Sequence, residues 1–257
     1  MTGTKTTSMG RTQAAAALAG VELFAGLGPA LLDALAAAAV PRSYPKGSLL
    51  FAEGDPGSSL MVLTGGSVSI FRTSAAGDRA VLAMLRPPDV LGELALIDGA
   101  PRSASAEATT DTSALLLGRD AFLSLIRAQP ALVDPLLRHL GAMVRRLSDQ
   151  TADYVFLDLA GRVAKLLVRM AVTDRRRGGP PAVELTQGRL AEMVGGSRQS
   201  VNQVLGSFAT RGLVRVEGRR ILVTNEAALR RRAALPPDPE QPAPVPRAAN
   251  APLRLPG

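Results

Sequence analysis

At 257 residues and 26.7 kDa the chain has room for two domains. Hydrophobic residues make up 46% but aromatics only 3%, so any core is aliphatic, and the absence of Cys excludes disulfides, thiol nucleophiles and cysteine-held zinc or iron–sulfur clusters. The net charge of +8 is uneven: residues 161–257 hold 17 Lys+Arg against 7 Asp+Glu, whereas residues 1–160 hold 13 against 15, so the second half is the one expected to meet a polyanion.

Residues 1–20 are rich in Thr, Gly and Ala and are expected to form a disordered arm, with Gln13 to Leu18 adding at most a turn of helix. Lys5 and Arg11 ahead of the run Ala14 to Ala19 imitate a secretory signal, but the apolar run is too short and Glu22 follows at once. No segment approaches the roughly 18 apolar residues of a membrane span. The chain is therefore expected in the cytoplasm, without a membrane partner. A short helix follows, marked by Gly28-Pro29 and by Leu27, Leu31, Leu32 and Leu35 at helical spacing.

From Pro41 to about Leu117 short apolar or alternating runs (Ser48 to Phe51, Leu60 to Leu63, Ser67 to Phe71, Ala80 to Leu85, Ala114 to Leu117) are separated by turns such as Gly54-Asp55-Pro56-Gly57 and Gly65-Gly66. That rhythm predicts an all-β barrel or sandwich. Gly92 to Ala108 is unlike a strand. Its glycines allow close approach of backbone to a ligand, Arg102 followed by Ser103 offers a guanidinium fork and a hydroxyl to a phosphate, and Glu93 can accept from a sugar hydroxyl. An Arg-Ser pair alone is also common in loops that bind nothing.

Ala121 to Ala128 reads as a helix leading to a longer one, from about Pro135 to Leu159, with Asp134 as its cap. There Leu136, Leu140, Met143, Leu147, Tyr154 and Leu157, with Gln150 as the one polar occupant, alternate steps of four and three, the a/d pattern of a helix packed lengthwise on a partner. A core helix of one domain would show the same pattern. Its position between two different halves favours self-pairing. The single histidine, His139, lies on this helix and is expected at a surface or interface, since one His cannot make a His-rich metal site.

Asp158 is placed to cap the next helix, with Val163, Leu166, Leu167 and Met170 on one face, and Arg175 to Pro181 to follow as an exposed basic loop. In Leu185 to Val214, one helix from Gln187 to Val194 turns inward Leu190, Ala191 and Val194, Gly195-Gly196 supplies a tight turn, and Ser197 caps a second helix whose Val201, Val204, Leu205 and Phe208 face back. That is a helix-turn-helix. Leu213 to Val216 and Ile221 to Thr224 form a hairpin, with Arg215, Arg219 and Arg220 placed to rest on DNA phosphate. From Ala233 the Pro-rich tail is expected to be disordered or polyproline-like. No cluster of acid, base and nucleophile appears, so the chain is not read as an enzyme.

With the stretch Pro45 to Asp55 and Gly66, the Gly92 to Ala108 segment closely resembles the cyclic-nucleotide-binding domain of the Crp/Fnr regulator family, and the resemblance runs from about Phe24 to Ala228. It implies an α+β fold: a β-roll sensor over residues 21–130, a dimerisation helix over 131–157, a winged helix-turn-helix domain over 158–232 and an added tail over 233–257. It also implies a transcription regulator controlled by a cyclic nucleotide, cAMP or cGMP, with Gly92 and Glu93 on the ribose hydroxyl, Arg102 and Ser103 on the cyclic phosphate and Ala104 beside them. No metal and no iron–sulfur cluster are implied. Pro88 stands where the family has glycine, a local change of turn. The family's Thr-Ser pair on the long helix, which meets adenine, falls on Leu147 and Ser148, and leucine cannot make the threonine's hydrogen bond. A regulator of this fold with a different effector, or none, is the alternative. The implied partners are palindromic double-stranded DNA, a second copy of the chain through residues 136–157, and RNA polymerase. Arg198, Gln199 and Gln203 are expected nearest the bases, Ser197 and Ser200 nearest phosphates, and Arg219 on the wing.

Overall fold

The computed structural model describes residues 9–176 and 182–236, in two compact units, one reaching Val155 and taking in Glu192–Gly195, the other beginning at Phe156. Each is taken by itself. None of the described helices is long and apolar enough to cross a membrane.

The first unit is built on two four-stranded antiparallel sheets. Strands β1 (Val40–Tyr44), β3 (Ser59–Gly65), β6 (Val90–Leu91) and β8 (Thr112–Gly118) form one in the order β1-β8-β3-β6; β2 (Leu49–Phe51), β4 (Val68–Thr73), β5 (Arg79–Leu85) and β7 (Ser105–Ala108) form the other as β2-β7-β4-β5. Strand β3 explains the layering. Its run Leu60-Met61-Val62-Leu63 is apolar on both faces because both are covered: Met61 and Leu63 pack toward Val68, Ala106 and Ala108 of the second sheet, while Leu60 and Val62 join Leu96, Phe122, Leu132 and Leu136 in a second core.

Helices α1 (Arg11–Ala19), α2 (Pro29–Ala38), α3 (Glu93–Asp98) and α4 (Arg119–Ala128) cover the first sheet's outer face. Two expectations need correction here. The arm is not disordered from Arg11 on, because Ala14 and Leu18, one turn apart, are buried with Phe24 and Leu35; residues 1–8 lie outside the described ones. The segment thought unlike a strand contains both α3 and β7, the latter paired with Val68 to Phe71 and buried through Ala106 and Ala108.

Helix α5 (Val133–Phe156) closes the unit, with Asp134 in its first turn rather than ahead of it. The seam expected at Leu136, Leu140, Met143, Leu147, Gln150, Tyr154 and Leu157 is divided: its first part and Gln150 turn inward, whereas Leu147 and Tyr154 are 49% and 52% exposed. Leu136 is buried in the chain's own core, Leu140 packs on the same cluster, and Gln150 Nε2 donates to the Leu82 carbonyl oxygen of β5 at 3.0 Å. The outward row is displaced by one residue at every step, Leu137, Gly141, Val144, Ser148, Thr151 and Val155, with Leu137 60%, Val144 61% and Val155 69% exposed.

The second unit opens with α6 (Leu159–Arg176), capped by Asp158, whose Oδ1 accepts from the Gly161 amide at 2.8 Å and whose other oxygen pairs with Arg232. Val163, Ala164, Leu167 and Val168 are its buried face; Leu166 and Met170 are half-buried. Arg175 and Arg176 continue the helix instead of forming a loop, and the rest of the expected basic loop lies outside the described residues. Then come β9 (Ala182–Glu184), α7 (Gln187–Val194), α8 (Arg198–Thr210), the hairpin β10 (Val214–Glu217) and β11 (Arg220–Val223), and α9 (Glu226–Arg232). Strand β9 extends the hairpin to a three-stranded antiparallel sheet in the order β10-β11-β9. Gly195, at φ +64°, supplies the left-handed turn between α7 and α8.

Candidate functional site

Two surfaces are built for a partner, one in each unit. In the first, backbone bonds from Arg102 N to the Asp55 carbonyl and from Gly54 N to the Arg102 carbonyl, both 2.9 Å, tie the residue to the Gly54-Asp55 turn. Its guanidinium points inward and is 5% exposed. Nη1 donates to the Gly92 carbonyl at 2.8 Å, Nη2 to the Ser59 carbonyl at 2.6 Å, and the plane lies over the Phe51 ring, 4.4 Å from its centre. Nε is buried without a partner among the described residues. Burial lowers the Arg102 pKa against the opposing pull of Glu93 and Asp55. A buried guanidinium with an unsatisfied N–H and only partial charge compensation can take an anion, because the penalty of burying that donor is relieved by an acceptor.

Gly92 is fixed by the same arrangement. At φ +85° a Cβ there would lie 2.2 Å from Arg102 Nη1, so no other residue leaves room for the guanidinium. Glu93 begins α3, is 5% exposed, and lies 3.5 Å from His139 Nε2 of α5. The expectation of an ordinary surface or interface histidine is thus corrected: His139 is half-buried against the acid of the candidate pocket. The contact is an ion pair without hydrogen-bond geometry. The Glu93 carboxylate raises the His139 pKa above its ordinary 6.5, opposed by burial and by Arg146 and assisted by Glu22. Ser103 is exposed and Ala104 buried beside Arg102. Gly92, Glu93 and Arg102 are brought into contact with one another's surroundings as expected. Ser148 is not among them; it lies exposed on the outward row of α5.

Sequence reasoning missed Phe51, Ser59 and His139 at this site. Phe51 and Ser59 come from strands far from Arg102 in the chain, and nothing local marks them.

The second surface is the outer face of α8. Ser197 caps the helix: its Oγ accepts from Ser200 N at 3.0 Å and lies 2.8 Å from Ser200 Oγ, so both hydroxyls expected near phosphate are engaged with each other. Val201, Leu205 and Phe208 anchor the inner face. Gln199 and Gln203 are exposed on the opposite side and Arg198 at its edge, with no hydrogen bond or ion pair among the described residues. Arg219 is exposed between β10 and β11, its carbonyl accepting from Leu185 N at 3.0 Å. An exposed helix face with unengaged bidentate amides and a guanidinium beside a basic hairpin suits a DNA groove. No group of three or more Asp, Glu or His able to hold a metal occurs among the described residues.

Comparison with known proteins agrees with both surfaces. The family model described as the cyclic nucleotide-binding domain matches residues 41–129, and that described as the Crp-like helix-turn-helix domain matches residues 161–232. The chain is 38% identical over 219 residues to the CRP-like cAMP-activated global transcriptional regulator of Mycobacterium tuberculosis, covering 84% of this chain and 98% of that protein. It is 35% identical over 210 residues to the cyclic AMP receptor protein of Thermus thermophilus, covering 82% and 95%. Among solved structures, the c-di-GMP responsive global regulator CLP of Xanthomonas campestris superposes with a TM-score of 0.66 at 21% identity over 73% of this chain and 94% of that one, a likeness of fold.

Proposed function

Because the chain belongs to the Crp/Fnr family of DNA-binding transcription regulators, with a cyclic-nucleotide-binding domain and a Crp-like helix-turn-helix, we propose that it acts as a homodimer whose affinity for palindromic DNA is set by a cyclic nucleotide held at Arg102. The observation that carries this reading is the buried Arg102 guanidinium with its unpaired Nε, framed by Gly92. In the bound state the cyclic phosphate accepts from Arg102 and from the exposed Ser103, beside Ala104, and Glu93 accepts from the ribose 2′-hydroxyl. The outward row of α5 pairs with the same row of a second copy, and each α8 enters a major groove with Arg198, Gln199 and Gln203 toward base edges and Arg219 toward phosphate. Half-sites one helical turn apart, roughly 10 base pairs, follow from two-fold pairing. RNA polymerase is the partner that such a regulator works on.

A second reading is favoured by one observation. Leu147, 49% exposed on α5, offers no hydrogen bond where the family's threonine meets adenine, so the effector differs from cAMP in its base or in its number of bases. The relatives in Mycobacterium and Thermus carry cAMP in their names, and the Xanthomonas protein carries c-di-GMP.

Calorimetric titration of the purified protein with cAMP, cGMP and c-di-GMP, repeated on Arg102→Lys, tests both. Binding of a cyclic nucleotide that falls about 10- to 150-fold in the variant supports the site, that being the weight of a charge-assisted fork of about 1.5 to 3 kcal/mol. Equal affinity of parent and variant overturns it.

A further inference from the structure

At 100° per residue, Arg198, Gln199 and Gln203 span an arc of about 140° on α8 that begins at Arg198, beside Leu205, and reaches the side opposite Val201, Leu205 and Phe208 at Gln199 and Gln203. A residue not yet assigned lies inside that arc. Asn202 falls between Arg198 and Gln199 in angle and one turn beyond Arg198, about 6 Å along the axis. It is exposed, and its amide makes no hydrogen bond among the described residues. Asparagine is a poor choice for a helix interior, because it bonds well to backbone in other conformations and contributes no apolar contact here. None of the described residues bonds to it.

The next residue on the same line points the same way. Gly206, one further turn along, is in the interior of α8, where glycine weakens a helix relative to alanine. A Cβ at Gly206 would meet nothing within 4 Å, so the chain's own packing does not require its absence. Two helix-weakening residues at i and i+4, both on the outer face and neither used internally, indicate a demand from outside the chain.

We propose that Asn202 is a base-reading residue of the recognition helix, its carboxamide accepting from adenine N6 and donating to adenine N7, and that Gly206 keeps the helix surface low enough for the groove to close on it. This rests on the reading of α8 as the helix that enters DNA. Bidentate pairing to adenine needs one donor and one acceptor side by side, which the amide has and which a serine or lysine at that place lacks. The side chain is three bonds shorter in reach than Arg198, so it can read only a base edge that lies close to the helix surface. With Gln199 and Gln203, the helix then presents three amides around one guanidinium. The half-site expected is one guanine beside adenine-rich positions, one of them fixed by Asn202.

The test is selection of binding sites from a random double-stranded DNA library by the full-length protein, without ligand and with each of cAMP, cGMP and c-di-GMP, for the parent, Asn202→Ala and Gly206→Leu. The parent should select an A·T pair at one fixed position in each half-site. Asn202→Ala should keep half-site spacing and the guanine, lose preference at that pair alone, and bind the parent's site about 5- to 150-fold more weakly. On a site with that pair replaced, parent and Asn202→Ala should bind alike. Gly206→Leu should melt no lower than the parent and bind every sequence more weakly. Selection of the same site with the same affinity by Asn202→Ala overturns the assignment, as does uniform weakening across sequences, which would make Asn202 a backbone contact. A parent protein that selects no sequence at all overturns the reading of α8 itself, and the assignment with it.

Discussion

The one-residue displacement of the α5 seam makes a sharp prediction. Val144 is 61% exposed and lies on the outward row; Leu140, four residues back, packs on the sensor core. Covering what Val144 exposes is worth about 1 to 2 kcal/mol, from the 1.5 to 3 kcal/mol of a fully buried aliphatic side chain. A two-fold axis doubles this, since the same residue serves both copies, giving about 2 to 4 kcal/mol, or about 30- to 700-fold in the dimer dissociation constant. Val144→Asp adds two carboxylates facing each other across that axis, so the loss is at least this large. Sedimentation velocity over a dilution series should show Val144→Asp as a monomer with the parent's melting temperature for the sensor unit. Leu140→Ala should behave oppositely: a dimer, with stability lower by about 2 to 4 kcal/mol from the cavity it leaves. Were Val144→Asp to keep the parent's mass at every concentration while Leu140→Ala dissociated, the outward row would not be the seam.

Three further outcomes are expected. Gly92→Ala places a Cβ 2.2 Å from Arg102 Nη1 and forces an L residue to φ +85°, so cyclic-nucleotide affinity should fall at least about tenfold and stability by about 1 kcal/mol; calorimetry and thermal melts that match the parent would refute the packing argument. The His139 pKa is raised by Glu93, so the pair's contribution is complete below the unfolded value of 6.5 and disappears as pH rises through the folded value; between pH 5.5 and 8.5 the parent should lose stability relative to His139→Gln, and parallel curves would exclude the pairing. Arg198→Ala should cost about 1 to 3 kcal/mol on the selected DNA site and relax one position, whereas Arg219→Ala should weaken all sequences alike and lower the salt slope by about 1; a sequence-specific loss from Arg219→Ala would place it on a base instead.

What was legible in the chain followed residue size. The β-roll was visible because Leu60 to Leu63 and Ala114 to Leu117 are bulky runs between glycine turns, and the helix-turn-helix because Leu190, Val201, Leu205 and Phe208 mark two inward faces around Gly195. Elements that bury small residues escaped: α1, where Ala14 carries half of the contact, and β7, where Ala106 and Ala108 are fully buried without looking hydrophobic in a loop rich in Ser and Gly. Strand β9 and α9 escaped for the related reason that three- and seven-residue elements hold too few apolar positions to show a period. The heptad row of α5 was legible, but not that it serves two ends: Leu136 and Leu140 fill the chain's own core, while Leu147 and Tyr154 of the same row stay exposed. The outward row carries Gly141, Ser148 and Thr151, small residues that let two helices approach closely. At the candidate site, Gly92, Glu93, Arg102 and Ser103 were legible as a motif, but His139 reaches Glu93, and Gln150 reaches β5, through tertiary proximity alone.

Those two residues bear on how a ligand at Arg102 reaches the rest of the molecule. Gln150 ties α5 to β5 through the Leu82 carbonyl, and His139 ties it to Glu93; both lie on the helix that also carries Leu137, Val144 and Val155 on its other row. A ligand that draws the Glu93 carboxylate to its ribose takes away the group that holds the His139 pKa up and the contact that holds the half-buried ring in place. That changes the contact between α3 and one face of α5, and a rigid helix transmits the change to its outward row about 100° away. The effect on assembly or DNA affinity is bounded by the free-energy difference between the ligand's contacts in the two arrangements, so a ligand held only by Arg102 and indifferent to Glu93 should bind without switching. A 2′-deoxy cyclic nucleotide is that ligand. If it binds more weakly yet raises DNA affinity as fully as the ribose form at saturation, the switch does not run through Glu93.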